Sequence, residues 1–330
     1  MLLSDLVLSS RAQIRRLNSK VLENYPSALT NPSIAFYNSK LFATVRAPGY
    51  ILLNSPQGKT FDPPEGPRQF IRKNRHGLFN RLNYLLELDV NLNTVQTWLI
   101  DEDHLSSSPI VSNGTPSQTV LKDGRLVVWN EELYLIGSSA QPGSNYSQMS
   151  LSRLIIDQTK PVVKSVDRRL IMPKDYFESD EKNWAPIIDK PFSFLRNLNP
   201  TQIVHTSISN EDEFGITEIS PTTELEAFKL RGGSQIVRWG NGYLAVSHTT
   251  KKIPSWNGTN RTYKHQFVSW DLDFQNMKMS SDFSFLGGAI EFCAGITFSQ
   301  GDVLISFGLN DNIPYVLRMP VATIEEIMSI

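Results

Sequence analysis

Three short stretches set charged side chains beside glycine, amide or aromatic groups in a way that suits handling an anion, a proton or a sugar. In Lys122-Asp123-Gly124-Arg125-Leu126 an acid stands two residues from a guanidinium, and an apolar run follows directly. Such a pair is either a structural ion pair or a proton carrier next to an anion-binding group. Arg231 precedes Gly232 and Gly233. Backbone amides and a bidentate guanidinium can there approach a phosphate or sugar oxygen closely, unless the glycines only connect two strand groups. Lys182, Asn183 and Trp184 combine a cation, an amide and a ring face. That set suits sugar hydroxyls and the apolar C–H face of a sugar, and it equally suits a buried structural tryptophan.

Single residues add to this set. His248 ends the run GYLAVSH, where alternation places it on the face of Leu244 and Val246, as for a core histidine. Tyr263 and His265 follow on the next run and come near it across a ladder. Glu291 and Asp311 are the further carboxylates, one before and one after LISFG, and Asn31 opens the first β-rich stretch.

The elements that must position these groups are strands. Leu6, Ile14, Leu17 and Val21 recur at close to helical spacing, which predicts one amphipathic helix over residues 2–24, ending before Pro26. Beyond it short β-rich runs alternate with Gly, Asn, Asp and Pro turns to about residue 320. A loose unit of four strands recurs there, opening at Asn31, near Val120, at Glu181, at Arg231 and at Ile290. The expected fold is all-β, a five-bladed β-propeller over 31–330 preceded by an N-terminal α-helix within 1–30. In a propeller the opening strands line one channel, so Asn31, Asp123, Lys182, Arg231 and Glu291 should converge at one mouth.

Composition narrows the partners. Thirty-two basic and thirty-three acidic residues leave a net charge of -1, so no global field favours nucleic acid or an anionic membrane. No apolar run approaches the roughly 20 residues of a membrane helix. Asp5 precedes any basic residue and no small-residue cleavage site follows, which argues against a signal peptide; with one cysteine, Cys293, this favours a cytoplasmic protein. His76, His104 and His205 are scattered, with no metal-ligand spacing. Dinucleotide, phosphate-loop and nucleophile-elbow motifs are also missing, so neither a metal nor a cofactor is expected.

At the same positions the chain resembles glycoside hydrolase family 130, the five-bladed propeller enzymes that include mannoside phosphorylases, and the related β-mannosyltransferases. NPSI, KDGRL with ELYLIGSS, and EKNWAPI look like that family's Asn-Pro, Glu-Asp-Pro-Arg and Lys-Asn segments. GGSQIVRWGNGYLAVSH looks like its segment ending in Tyr-His, and IEFCAGITFSQGDVLISFGLND like its final blade. The likeness runs from about residue 31 to 320. It implies that Asp123 matches the catalytic proton donor and Arg125 the adjacent arginine. His248 and Tyr263 would match groups around phosphate or acceptor, and Asp311 a sugar-binding carboxylate. Lys122 stands where the family has an acid and Gly124 where it has proline; LRGGS is richer in Arg and Gly than in the phosphorylases. The first two departures bear on the sugar contacts and the rigidity of that turn, and the LRGGS segment points to a subgroup with a different donor.

The chemistry implied is inverting transfer at an anomeric carbon, with one carboxyl group managing a proton while phosphate, water or a sugar hydroxyl attacks the opposite face. Arg125, Lys182, Arg231 and His248 would bind phosphate or the diphosphate of a sugar nucleotide. Glycosyltransferase and phosphorylase share that cluster. A hydrolase needs a second carboxylate, for which Glu291 is the candidate, and a glycan-binding propeller without catalysis is the competing class.

Overall fold

The structure is a computed structural model. It describes residues 3, 12–23, 28–48, 50–53, 68–71, 81–102, 111–112, 115–116, 120–140, 147–171, 181–207, 214–219, 230–255, 258–288 and 290–329. Within them, strands dominate, as β-branched and aromatic runs cut by Asn, Asp and Gly dictate.

Strand β1 (Gln13–Arg16) comes first in the chain and pairs last. The first group is β2 (Thr30–Tyr37), β3 (Lys40–Ala47), β6 (Leu82–Leu88) and β7 (Thr94–Asp101), with a separate hairpin, β4 (Tyr50–Leu53) and β5 (Arg68–Ile71), between β3 and β6. After the small hairpin β8 (Val111–Ser112) and β9 (Thr115–Pro116) comes the second group, β10 (Lys122–Trp129), β11 (Glu132–Ala140), β12 (Ser147–Ile155) and β13 (Val162–Leu170). The third is β14 (Ala185–Pro186), β15 (Ser193–Leu198), β16 (Thr201–Thr206) and β17 (Phe214–Ile219). In the fourth, β18 (Arg231–Gly232) and β19 (Val237–Trp239) both pair with β20 (Gly242–Ser255), followed by β21 (Gly258–Asp271) and β22 (Lys278–Met279). The fifth is β23 (Glu291–Ser299), β24 (Asp302–Leu309) and β25 (Ile313–Pro320), completed by β1. Parallel pairing of β13 with β7 joins the first two groups into one eight-stranded sheet.

Neighbouring groups pack on one another in cyclic order. Strands of successive groups touch in turn, β2 with β10, β10 with β14, β15 with β18, β20 with β23, and β23 with β2. An apolar cluster fills each gap between groups: Phe42 and Trp98 meet Leu126 and Leu135, and Trp129 and Ile136 meet Phe194 and Val204. Ile187 and Ile203 meet Tyr243 and Trp270; Val246 and Phe267 meet Phe307; Leu304 and Val316 meet Ile34 and Val45. In the middle the buried Gln235 side chain donates to the carbonyls of Ile34 (2.8 Å) and Leu126 (2.6 Å) and accepts from the Ile296 amide (2.9 Å). One amide thus ties the opening strands of three groups to a residue of the fourth.

Two features differ from the sequence expectation. Gln13–Arg16 is a strand, in register with Arg318 to Tyr315, and a helix is described over Lys20–Glu23; apart from Leu3, the part of the expected helix before residue 12 lies outside the described residues. Ile14 and Leu17 fit either pattern; pairing wins because it covers the open edge of β25 while Leu17 is buried with Leu22 and Val316. A helix over Val321–Ser329, not expected from the sequence, buries Ile324 and Ile327 against Leu317 and Met319. Among the described residues no helix is long and apolar enough to cross a membrane.

Candidate active site

The site is built at the first residues of the opening strands. Pairing of β10 with β11 slips between Lys122 and Arg125, and that of β2 with β3 between Thr30 and Ser33. Each bulge holds a residue in the left-handed region, Asp123 at φ 53° and Asn31 at φ 47°. Non-glycine residues there are uncommon, Asn and Asp being the best tolerated, and a bulge re-aims its side chain out of the ladder's alternation. Both side chains turn toward each other: Asn31 Nδ2 donates to Asp123 Oδ1 at 2.7 Å. Arg46 Nη1 donates to the same oxygen at 3.1 Å. Arg46 stands opposite Thr30 on β3, so the same bulge presents it.

Arg125 does something else. It is fully buried, and its Nε donates to the Gly233 carbonyl at 2.6 Å, its Nη1 to the Asp123 carbonyl at 3.0 Å and its Nη2 to Asn183 Oδ1 at 3.5 Å. Burial lowers its pKa to about 10, still charged at neutral pH. The guanidinium therefore clamps the second, third and fourth groups together beneath Asp123.

Asp311 lies in the turn between β24 and β25, at φ 46°. Part of it reaches solvent, yet lost solvation pushes its pKa up to about 6, with the Asp123 charge adding to the rise and Arg46 opposing it. Tyr263, largely enclosed on β21, has its pKa raised first by burial and then by Asp311, against the nearby Arg261. Asn31, Arg46, Asp123, Asp311 and Tyr263 thus form one polar cluster drawn from four groups.

His248 pairs with Arg231 in the ladder of β18 and β20 and faces Tyr263 at 5.5 Å and Phe292 at 5.2 Å between ring centroids. Burial, then the charges of Arg125 and Arg231, push its pKa down to about 3, so the ring is neutral at physiological pH. A neutral imidazole can accept or donate a hydrogen bond to an anion but adds no charge.

Lys182, Asn183 and Arg231 line a cleft of about 400 Å³ between the third and fourth groups. The close approach of β18 depends on Gly232, where a Cβ would sit 2.0 Å from the Asn183 carbonyl oxygen. Trp184 offers no open ring face: it is fully buried and its Nε1 donates to Glu181 Oε2 at 2.9 Å, an acid also bound by Arg196. Glu291 is set apart from the cluster in its bonding. Its carboxylate accepts the amides of Phe285 (2.7 Å), Leu286 (2.8 Å) and Gly288 (2.9 Å), which fixes the loop before β23.

Arg46 and Arg261 were not singled out from sequence. The signal for Arg46 was a lone cation inside the apolar run LFATVRA; the fold sets it opposite Thr30, beside the bulge that holds Asn31. Together the groups present a carboxylate held by two donors, a second carboxyl of raised pKa, a phenol, a neutral imidazole and a cationic cleft. Such a set can manage a proton beside a polyhydroxy ligand and bind an adjacent anion.

No protein-family model matches the sequence, and no curated protein matches it. Solved structures do. A β-1,2-mannobiose phosphorylase from Listeria innocua superposes with a TM-score of 0.56 at 14% identity, over 96% of this chain and 99% of that one. A mannose phosphorylase from Leishmania mexicana, in complex with phosphate ion, gives 0.52 at 10% identity over 96% and 91%. A GDP-Man-dependent mannosyltransferase from the same organism gives 0.52 at 13% over 93% and 89%. The likeness is one of fold, and at that level it agrees with the resemblance to glycoside hydrolase family 130 read from the motifs.

Proposed function

We propose that the five strand groups are the blades of a five-bladed β-propeller, and that the mouth holding Asp123 binds carbohydrate and carries out inverting glycosyl transfer. The enzyme would be a glycosyltransferase or glycoside phosphorylase acting on β-mannosides, in the cytoplasm. The observation that carries this reading is the Asp123 carboxylate, held by Asn31 and Arg46 beside Asp311. A carboxylate fixed by two donors with a second carboxyl of raised pKa nearby is an arrangement that acid–base catalysis can use.

In the phosphorolytic direction a phosphate oxygen forms its bond to the anomeric carbon, the glycosidic C–O bond breaks on the opposite face, and the leaving oxygen takes a proton from the carboxyl cluster. Transfer to an acceptor hydroxyl runs the proton the other way. Lys182 and Arg231 supply charge for the phosphate or diphosphate, with His248 and Tyr263 as neutral hydrogen-bonding partners. Arg125 acts from beneath as a clamp, since its donors are spent on carbonyls and Asn183. A hydrolase is less well supported, because Glu291 is occupied by backbone amides. A glycan-binding propeller is disfavoured by the burial of Trp184, which removes the aromatic shelf expected beside the cleft.

The test is a screen of β-mannosides with inorganic phosphate, and of sugar nucleotides with mannose acceptors, read by NMR of the anomeric product. Turnover with inversion supports the reading. Saturable glycan binding without turnover of any donor would replace it with the binding module.

A further inference from the structure

We infer that the hairpin of β20 and β21 is an anion-binding arm at the site, whose Lys252 and Arg261 take the outer phosphate of a donor that carries a diphosphate. The substrate class this names is a nucleoside diphosphate sugar. That naming rests on the function proposed above; the binding of the diphosphate does not.

The hairpin is longer than its sheet requires. β20 and β21 pair without a slip from Gly242 opposite Asp271 to Ser255 opposite Gly258. Their neighbours stop earlier: Arg231 of β18 pairs no farther than His248, and Phe283 bridges to His265. The rows beyond His248 and His265 have no third strand among the described residues. They reach roughly 23 Å at the usual rise per strand residue. A bare two-stranded ribbon gains little stability of its own, so packing does not account for that length.

Its charge is one-sided. From Thr249 to Lys264 the chain carries Lys251, Lys252, Arg261 and Lys264 and no acid. Lys252 stands directly opposite Arg261, and both are exposed. Like charges directly opposite destabilise a ladder, and an anion bound between them removes that cost. Among the described residues neither makes an ion pair. Lys264 is instead engaged with Ser284 Oγ at 2.8 Å, and alternation puts Lys251 on the other side.

The side that carries Lys252 and Arg261 also carries site residues. Alternation groups them with Thr250, Tyr263, His248 and His265, and Arg231 stands opposite His248. Contacts continue this line toward the acid. Between ring centroids Tyr263 lies 5.5 Å from His248, and His248 lies 5.2 Å from Phe292. The Arg125 guanidinium, which donates to the Asp123 carbonyl, sits 5.8 Å over the Phe292 ring. The row of Lys252 and Arg261 is two residues beyond Tyr263, roughly 7 Å farther out. A single phosphate ion at the Tyr263 row occupies one end of that span. A diphosphate extends along it, and long Lys and Arg stems lean along the strands to meet its outer half.

In transfer the acceptor oxygen bonds to the anomeric carbon as the bond from that carbon to the phosphate oxygen breaks on the opposite face. The diphosphate leaves with the electron pair, its charge met by Lys252 and Arg261, and the acceptor's proton passes to the Asp123 carboxylate.

The test measures binding to the full chain by calorimetry, with inorganic phosphate, inorganic pyrophosphate, and ADP, GDP, UDP and CDP as probes. Pyrophosphate and at least one nucleoside diphosphate should bind at least about 10-fold tighter than phosphate. Lys252→Gln and Arg261→Gln should each weaken them on the order of 10-fold and leave phosphate within about twofold. Lys251→Gln, on the other side, should change none of these. Phosphate bound as tightly as pyrophosphate, no nucleoside diphosphate bound, or equal weakening by Lys251→Gln would overturn the inference. Lys252 is exposed, so its replacement strips no buried group, and that arm decides alone if Arg261→Gln does not fold. Inverting phosphorolysis of a β-mannoside with no preference for diphosphates would sink the arm and keep glycosyl transfer. Diphosphate binding lost in both variants, with no donor turned over by the wild type, would do the reverse.

Discussion

Arg46 and Asp123, on neighbouring groups of strands, form an ion pair beside the start of β10, with Nη1 3.1 Å from Oδ1 and side chains 11% and 32% exposed. Arg125, two residues from Asp123 on the same strand, bonds instead to the carbonyls of Gly233 and Asp123. Sequence neighbourhood suggested an Asp123–Arg125 pair; the bulge parts them by turning the acid outward while the arginine points into the body.

The two arginines should therefore fail differently. Arg125→Met leaves buried carbonyls without donors, at roughly 1–3 kcal/mol each, and should lower stability by several such units. Arg46→Met should cost only about 1 kcal/mol in stability. Its effect on turnover should be larger, on the order of 10²-fold, because Asp123 loses the group that aims it. Urea denaturation beside steady-state rates for both variants checks this; equal stability losses would show that Arg46 is structural too.

Asp123→Asn should reduce glycosyl transfer on the order of 10²- to 10⁴-fold while leaving the melting temperature within a few degrees. The amide keeps the shape and tolerates the left-handed backbone that Asp123 adopts. Full activity in this variant would take Asp123 out of the mechanism.

Much of this cluster was legible in the sequence for a physical reason. Asn31, Asp123 and Asp311 are residue types that accept left-handed backbone, so turn and bulge chemistry announced where the strands open. Arg46 was hidden because its orientation depends on a slip in register between Thr30 and Ser33, which alternation alone does not reveal. Glu291 looked like a site residue by type and place; the amides that occupy it belong to a loop whose path only the fold sets. The strand Gln13–Arg16 escaped because its partner lies at the far end of the described chain, on β25, and local spacing carries no trace of it.

Glu291→Gln separates a loop anchor from a catalytic base. The amide offers one acceptor oxygen where the carboxylate offers two, so the loop 285–288 should loosen, with protease susceptibility and a lower melting temperature as the readout. Turnover per folded molecule should stay within a few-fold of the wild type. A loss of 10²-fold or more would restore Glu291 to the reaction and reopen the hydrolase.

Gln235→Leu should be among the most destabilising single changes. It strips partners from the carbonyls of Ile34 and Leu126 and from the amide of Ile296, all in the packed centre. At roughly 1–3 kcal/mol for each buried orphan, a loss of several such units in unfolding free energy is expected from urea denaturation. A loss below about 1 kcal/mol would mean that the centre relaxes or admits water in its place.

His265→Phe should make the protein less sensitive to acid. His265 is fully buried between Phe283 and Phe285, at 5.9 and 4.8 Å between ring centroids, and neither ring nitrogen has a hydrogen-bond partner among the described residues. Burial, with His248 and Lys264 nearby, drives its pKa well below 6.5. The unfolded chain therefore binds a proton at residue 265 as the pH drops through 6.5, and the folded chain refuses it. The stabilisation is complete above that pH and is lost progressively below it. His248, whose pKa is lowered to about 3, acts in the same direction. Asp311, raised to about 6, acts in the opposite one, its contribution present at low pH and lost as the pH rises through about 6. Phenylalanine removes the proton demand and two unsatisfied nitrogens while keeping a ring among rings. At pH 7 the variant should match or exceed wild-type stability, and its melting temperature should fall less on going to about pH 5. In the Asp311→Asn background the acid-side fall should steepen, since the offsetting carboxyl is gone. Melting curves across that range decide the matter: a variant as acid-sensitive as wild type would mean that His265 finds a proton acceptor in the folded protein.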